Sequence, residues 1–154
     1  AQPGCADCPL ASRCLALAAG TVAERPVKQS KTKVRDRWFN YLHVTCGDRT
    51  LLRRRGEGDI WQGLYEFPMI ETDRAADFSE LTDSEEFRTL LGGVEWRLLR
   101  SVAMPKHQLS HQTLHAVFHR IEIFSPVDFP SVPTATLGDY AVPRLIDRYL
   151  DRQP

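Results

Sequence analysis

A mixed α/β fold is predicted by three features of the sequence: strand-like alternation after Arg37, two amphipathic helical patterns, and a β-rich run between Thr113 and Phe124. The 154 residues are 42% hydrophobic and 26% charged, with 20 basic residues against 20 acidic ones, which excludes a disordered or collagen-like chain. A chain of this length buries roughly two-thirds of its unfolded surface and needs no disulfides to fold. No apolar run approaches the roughly 18 residues needed to cross a bilayer. The N-terminus lacks the basic-then-apolar pattern of a signal peptide. The expectation is a soluble, intracellular protein.

The elements follow in order. Cys5, Cys8 and Cys14 crowd the first twenty residues, with Pro9 placed to open a short helix and Gly20 to end it. From Thr21 to about Arg35 the chain is polar and basic without apolar period, which reads as a linker. Trp38, Leu42, Val44 and Cys46 then share one strand parity, Gly47-Asp48 offers a turn, and Thr50 to Arg53 pairs back. Leu64 to Ile70 reads as a further strand despite Pro68.

Asp83 with Glu86 resembles a capping box, Phe87, Leu90 and Leu91 give the helical stripe, and Gly92-Gly93 ends it. Val94 to Val102 returns to strand chemistry. Between Thr113 and Phe124, Leu114, Val117, Phe118 and Ile121 suit a helix, while the β-branched Val117, Ile121 and Ile123 share one parity; a strand is expected. Val142, Leu145, Ile146, Tyr149 and Leu150 form a last amphipathic helix with Pro143 in its first turn.

The balanced charge hides an asymmetry. Between Arg25 and Arg55 ten basic residues face only Asp36 and Asp48, a net +8. Such a block points to a polyanion contact, or to a solvated linker followed by a charged hairpin.

Cys5-x2-Cys8-x5-Cys14 has the spacing at which thiolates converge on a metal or cluster. Three thiolates leave a four-ligand site one short. Cys46 lies in an expected strand, where an isolated cysteine is more often a small buried hydrophobe, and a Cys5/Cys8 redox pair lacks the preceding strand of a thioredoxin-like setting. The spacing resembles the end of the Cys-x6-Cys-x2-Cys-x5-Cys loop that holds a [4Fe-4S] cluster in the endonuclease III and MutY branch of DNA glycosylases. That resemblance implies three of four ligands here, a first ligand upstream of Ala1, and a cluster absent or incomplete in this chain.

Leu51 to Arg55 followed by Ile60-Trp61-Gln62-Gly63-Leu64-Tyr65-Glu66-Phe67-Pro68 resembles the Nudix-like C-terminal domain of MutY-type A/G-specific adenine glycosylases. The same residues are also ordinary core, with aromatics packing a sheet. True Nudix pyrophosphatases share this opening and need several carboxylates on one helix to hold divalent metal. Glu71, Asp73, Asp77 and Glu80 follow, but no Arg-Glu-x-x-Glu-Glu run does, which weighs against a metal-dependent hydrolase.

His107, His111, His115 and His119 recur every four residues. One helix would stripe them into a zinc site, but Pro105 and the β-rich sequence oppose that, and on a strand His115 and His119 stand about 13 Å apart. Lys106-His107-Gln108-Leu109-Ser110-His111 resembles the His-x-Phe-Ser-His loop with which MutY C-terminal domains read 8-oxoguanine. Without that resemblance the segment is a polar turn before a strand. The family role implies that Ser110 reads the damaged base, that His111 supports the loop or a phosphate, and that Leu109 stands where the family has an intercalating Phe. Leu wedges between bases but lacks a π-face.

The resemblance therefore implies a Nudix-like α/β/α sandwich over residues 36–154, preceded by a cluster-loop remnant at 1–20 and an interdomain linker at 21–35. It implies the 8-oxoguanine-recognising part of an adenine DNA glycosylase acting in base excision repair, with catalysis in an absent helical domain and this chain inert by itself. Expected partners are that domain and duplex DNA carrying 8-oxoguanine opposite adenine, contacted through Lys31, Lys33, Arg53 and Arg54. Neither a membrane contact nor an oligomer is expected, and in a bacterium the protein would be cytoplasmic and nucleoid-associated. A nucleotide pyrophosphatase and a protein-interaction module are the alternatives.

Overall fold

Strand β1 (Arg35–Cys46) organises the sheet because its side chains are apolar toward both faces, so neither face tolerates solvent. Phe39 and Tyr41 point to one side, Leu42 and Val44 to the other. The computed structural model describes residues 3–27 and 34–152. It divides into two compact units, Ala1–Lys33 and Val34–Pro154. In the smaller unit, single 3-10 turns at Cys5–Asp7, Ala11–Arg13 and Val22–Glu24 flank one helical turn, α1 (Leu15–Ala18). Gly20, at φ +67°, follows it in the left-handed region that the expected stop requires.

In the larger unit β2 (Arg49–Leu51), β3 (Arg53–Arg54), β4 (Tyr65–Glu66) and β5 (Met69–Thr72) follow, then helices α2 (Phe78–Thr82) and α3 (Glu85–Leu91). Strands β6 (Trp96–Ala103), β7 (His107–Gln108), β8 (Gln112–Ile123) and β9 (Ser131–Pro133) come next, and helix α4 (Arg144–Leu150) closes the unit. The order across the sheet is β6-β8-β1-β2-β9, with β5 also on β1 and β7 also on β8. Strands β1 and β8 run parallel over eleven matched pairs, from Arg35↔Gln112 to Thr45↔Glu122. The ambiguous segment is thus a strand, since β8 buries alternate residues on two opposite cores.

One core joins Phe39, Tyr41, Leu114 and Phe118 to Leu145, Ile146 and Tyr149 of α4. Phe118 and Tyr149 stack at 4.0 Å and 8°. The other joins Leu42, Val44, Ile121 and Ile123 to Leu81 of α2 and to Phe87 and Leu91 of α3. Helices on both faces of one mixed sheet make an α/β/α sandwich.

Local details differ from the sequence reading. The capping box belongs to α2, where Glu80 accepts from the Asp77 N–H at 3.0 Å, whereas α3 is capped by Ser84, which accepts from the Phe87 N–H. The strand expected over Leu64 to Ile70 splits into β4 and β5, because Pro68 cannot donate to a ladder; its carbonyl instead accepts from the Leu42 N–H at 2.8 Å. Among the described residues no helix is long and apolar enough to cross a membrane.

Candidate functional site

Strands β7 and β8 form a hairpin with His107 opposite Leu114 and Gln108 opposite Thr113. The Leu109 N–H donates to the Gln112 carbonyl at 2.8 Å, which leaves Ser110 and His111 as the two residues of the tip. Both are exposed. The His111 carbonyl accepts from the Arg35 N–H at 3.0 Å, so the tip is tied to the start of β1 as well as to its own hairpin. Neither the Ser110 hydroxyl nor the His111 imidazole has a hydrogen-bond partner among the described residues. Leu109 is half-buried and packs against the α4-side core.

A buried guanidinium holds the base of this hairpin. The Arg37 side chain, 7% exposed, donates through Nη1 to Gln112 Oε1 at 3.1 Å, to both carboxylate oxygens of Asp59 at 2.7 Å, and to Glu71 at 2.6 and 2.7 Å. Its guanidinium carbon lies over the Phe39 ring, 4.7 Å from the centroid. Hydrogen bonds to Glu71 and then Asp59 raise Arg37 above the ordinary guanidinium value against the pull of burial. Bonds from Arg37 hold both Asp59 and Glu71 below the usual carboxylate range. Arg55 extends the network to Asp59 at 2.5 Å and to the buried Glu66. Burial lowers Arg55, but the facing Glu66 outweighs it. Tyr41, enclosed beside this network, is pushed up by burial and then by Glu66.

The same network shapes the loop between β3 and β4. The Arg55 Nε donates to the Ile60 carbonyl at 2.8 Å, and the Arg55 backbone bonds Leu64 and Gly63. Within this loop Trp61 adopts φ +63°, the sole non-glycine residue with positive φ among those described. Its ring packs edge-on against Phe39 at 6.3 Å and His107 at 5.9 Å. A left-handed tryptophan is tolerated only where packing over-determines it. Burial, and then Arg148, lowers the His107 pKa.

The remaining sequence-derived candidates lie apart from the tip or outside description. Lys31 and Lys33 fall outside the described residues. Arg53 is half-exposed, bonds Glu66 at 3.3 Å and lies over Phe129 at 5.8 Å, while Arg54 donates to the Gly63 carbonyl at 2.9 Å. The +8 block is therefore partly internal, since Arg37 and Arg55 are enclosed with their own carboxylates. Sequence reasoning missed the buried network of Arg37, Asp59 and Gln112. An arginine at the parity of Phe39 and Tyr41 was the available signal for Arg37, because a cation on a core face demands a partner.

A cleft of about 510 Å³ lies on the α3 side of the sheet, lined by Arg53, Met69, Glu85, Glu86, Asp128 and Phe129 among others. Among the described residues no three His, Cys, Asp or Glu side chains are grouped so as to hold a metal ion by themselves. The same test bears on the N-terminal unit. Cys5 opens and Cys8 caps one 3-10 turn, Cys14 caps the next, and all three line one open hollow as free thiols. The iron–sulfur expectation is corrected accordingly, as the three thiols do not converge on a metal site.

A family model described as NUDIX domain matches residues 40–152. Among solved structures, the Escherichia coli ORF135 protein is 15% identical, with a TM-score of 0.54 over 77% of this chain and 91% of that one. The MutT protein from Methanosarcina mazei is 13% identical, with a TM-score of 0.50 over 80% and 95%. The C-terminal domain of mouse MUTYH, solved with human PCNA, is 17% identical, with a TM-score of 0.46 over 76% of this chain and 89% of that one.

The match overturns two expectations. Inertness was inferred from an absent helical domain, yet a Nudix domain model matches residues 40–152 of this chain, which argues against that inference. The glycosylase and DNA-repair assignment rested partly on the cysteine loop, which the geometry withdraws, and the matched family is not a glycosylase family. With a sandwich of the expected architecture and a domain match across three-quarters of its length, the chain belongs to the Nudix domain family.

Proposed function

We propose that this Nudix domain binds an oxidised purine, 8-oxoguanine in duplex DNA, through the β7–β8 hairpin tip. The observation that carries the reading is Ser110, exposed on a tip whose backbone is tied on both sides and whose hydroxyl has no protein partner. Oxidation gives guanine an O8 acceptor and turns N7 from an acceptor into an N–H donor. One hydroxyl both donates and accepts, so Ser110 answers that altered edge, whereas plain guanine offers N7 only as acceptor. His111 beside it meets a phosphate or steadies the tip, and Arg53 and Arg54 supply contacts to the backbone. Titrating the chain with duplexes that differ only in 8-oxoguanine or guanine opposite adenine tests this: tighter binding of the oxidised duplex is expected, and equal affinities refute it.

Hydrolysis of a nucleotide pyrophosphate is a second reading, which the family match favours. The α3-side cleft, with Glu85, Glu86 and Asp128 on its wall, is where such a substrate would lie. Release of phosphate or nucleoside monophosphate from a nucleoside triphosphate in magnesium supports it, and no release above a protein-free control refutes it.

A further inference from the structure

The tip of the β7–β8 hairpin is a poor clasp by itself. Two-residue loops match the twist of their strands when one or both central residues take positive φ. Trp61 is the one described non-glycine residue that does so, which leaves Ser110 and His111 both without it. Strand β7 adds only the pairs His107↔Leu114 and Gln108↔Thr113. A ladder this short, closed by a turn that splays its strands, needs a tie from outside the hairpin.

Gln112, the first residue of β8, supplies that tie. Its carbonyl accepts from the Leu109 N–H at 2.8 Å and closes the loop, while its side-chain Oε1 accepts from Arg37 Nη1 at 3.1 Å. A guanidinium has five N–H donors. The bonds of Arg37 to Glu71 and Asp59 use four of them, and Gln112 takes the fifth. Each carboxylate grips the guanidinium through two bonds, so Arg37 cannot swing away from Gln112. The Arg35 N–H to the His111 carbonyl is a second tie, but a single bond leaves the tip free to pivot about it.

We propose that Gln112 is a positioning residue for the tip: by accepting the last donor of Arg37 it holds Ser110 in one place and so sets the selectivity for an oxidised purine. The inference rests on the base-reading role proposed for Ser110. A tip ordered in advance loses less freedom when the base arrives, and the correct edge then gains the full benefit of the hydroxyl.

Backbone nitrogen relaxation by NMR on the whole chain, with and without Gln112→Leu, tests the positioning before any DNA is added. The Ser110 and His111 amides are expected to have order parameters of about 0.85, falling below about 0.6 in Gln112→Leu while Phe118, in the middle of β8, is unchanged. Gln112→Glu keeps an oxygen for Arg37 and is expected to retain the order. General destabilisation would not single out the tip in this way. A tip already mobile in the unsubstituted chain, a tip unmoved by Gln112→Leu, or a glutamate variant as loose as the leucine one overturns the proposal. Should Gln112→Leu fail to fold, the side-chain amide of Gln112 in the unsubstituted chain decides: an ordered amide supports the tie and a mobile one overturns it. The ratio of dissociation constants for guanine and 8-oxoguanine duplexes is expected to fall about fivefold in Gln112→Leu. An unchanged ratio beside a loosened tip overturns the link to selectivity. A ratio of one in the unsubstituted chain refutes base reading itself, and the relaxation result then decides the positioning alone.

Discussion

Arg37 grips both oxygens of Asp59 at 2.7 Å, and through that contact the central strand carries the loop that sets Trp61 against His107. Removing a partner from a buried pair leaves uncompensated charge, at a cost of about 3–5 kcal/mol. Arg37→Ala is expected to lower the urea-unfolding free energy by roughly 3 kcal/mol. A loss below about 1 kcal/mol would place the network among ordinary surface ion pairs.

His43 gives the pH dependence. Burial first, and Arg120 and Arg100 after it, lower its pKa from 6.5 to about 4. A depressed imidazole means that the unfolded chain binds the extra proton between those values, so stability is full above pH 6.5 and falls as pH drops toward 4. The loss approaches about 3 kcal/mol at the acid end, on the order of 1.4 kcal/mol per pH unit. Histidine side-chain titration by NMR should show a His43 midpoint near 4. A midpoint at the ordinary 6.5 would contradict the buried geometry.

The sandwich was legible because β1, β8, α3 and α4 each carry a clear period, and their apolar faces admit few arrangements. The hairpin tip was legible as a motif, but its support was not. Arg37, Asp59 and Gln112 lie far apart in the chain, and only the parallel pairing of β1 with β8 brings Arg37 to Gln112. Cys5, Cys8 and Cys14 mark the opposite failure, for spacing alone promised a metal-holding group that the two consecutive 3-10 turns carrying them do not form.

Trp61 acts on the tip from behind. Trp61→Ala removes the edge contacts to Phe39 and His107 and should loosen the β7–β8 hairpin. Hydrogen exchange at the Leu109 amide, which bonds the Gln112 carbonyl, is expected to quicken about tenfold more than at the Phe118 amide in the centre of β8. Equal acceleration at both amides would make the effect global rather than local.

Arg54 separates backbone attraction from base reading. Its side chain is exposed and held near Gly63. Arg54→Gln should weaken binding of oxidised and plain duplexes alike and reduce the slope of log affinity against log salt by about 1. An unchanged slope would remove Arg54 from the interface.

The hydroxyl of Ser110 is the point on which nucleobase reading rests, and its removal is the most direct measurement. The quantity is the ratio of dissociation constants for the guanine and 8-oxoguanine duplexes, taken for the unsubstituted chain and for Ser110→Ala under identical salt. The expected result is a ratio that collapses about tenfold toward unity in the variant, the equivalent of one lost hydrogen bond of roughly 1.4 kcal/mol, while the melting temperature stays unchanged. A ratio unaltered by the substitution would contradict base reading by the hairpin tip.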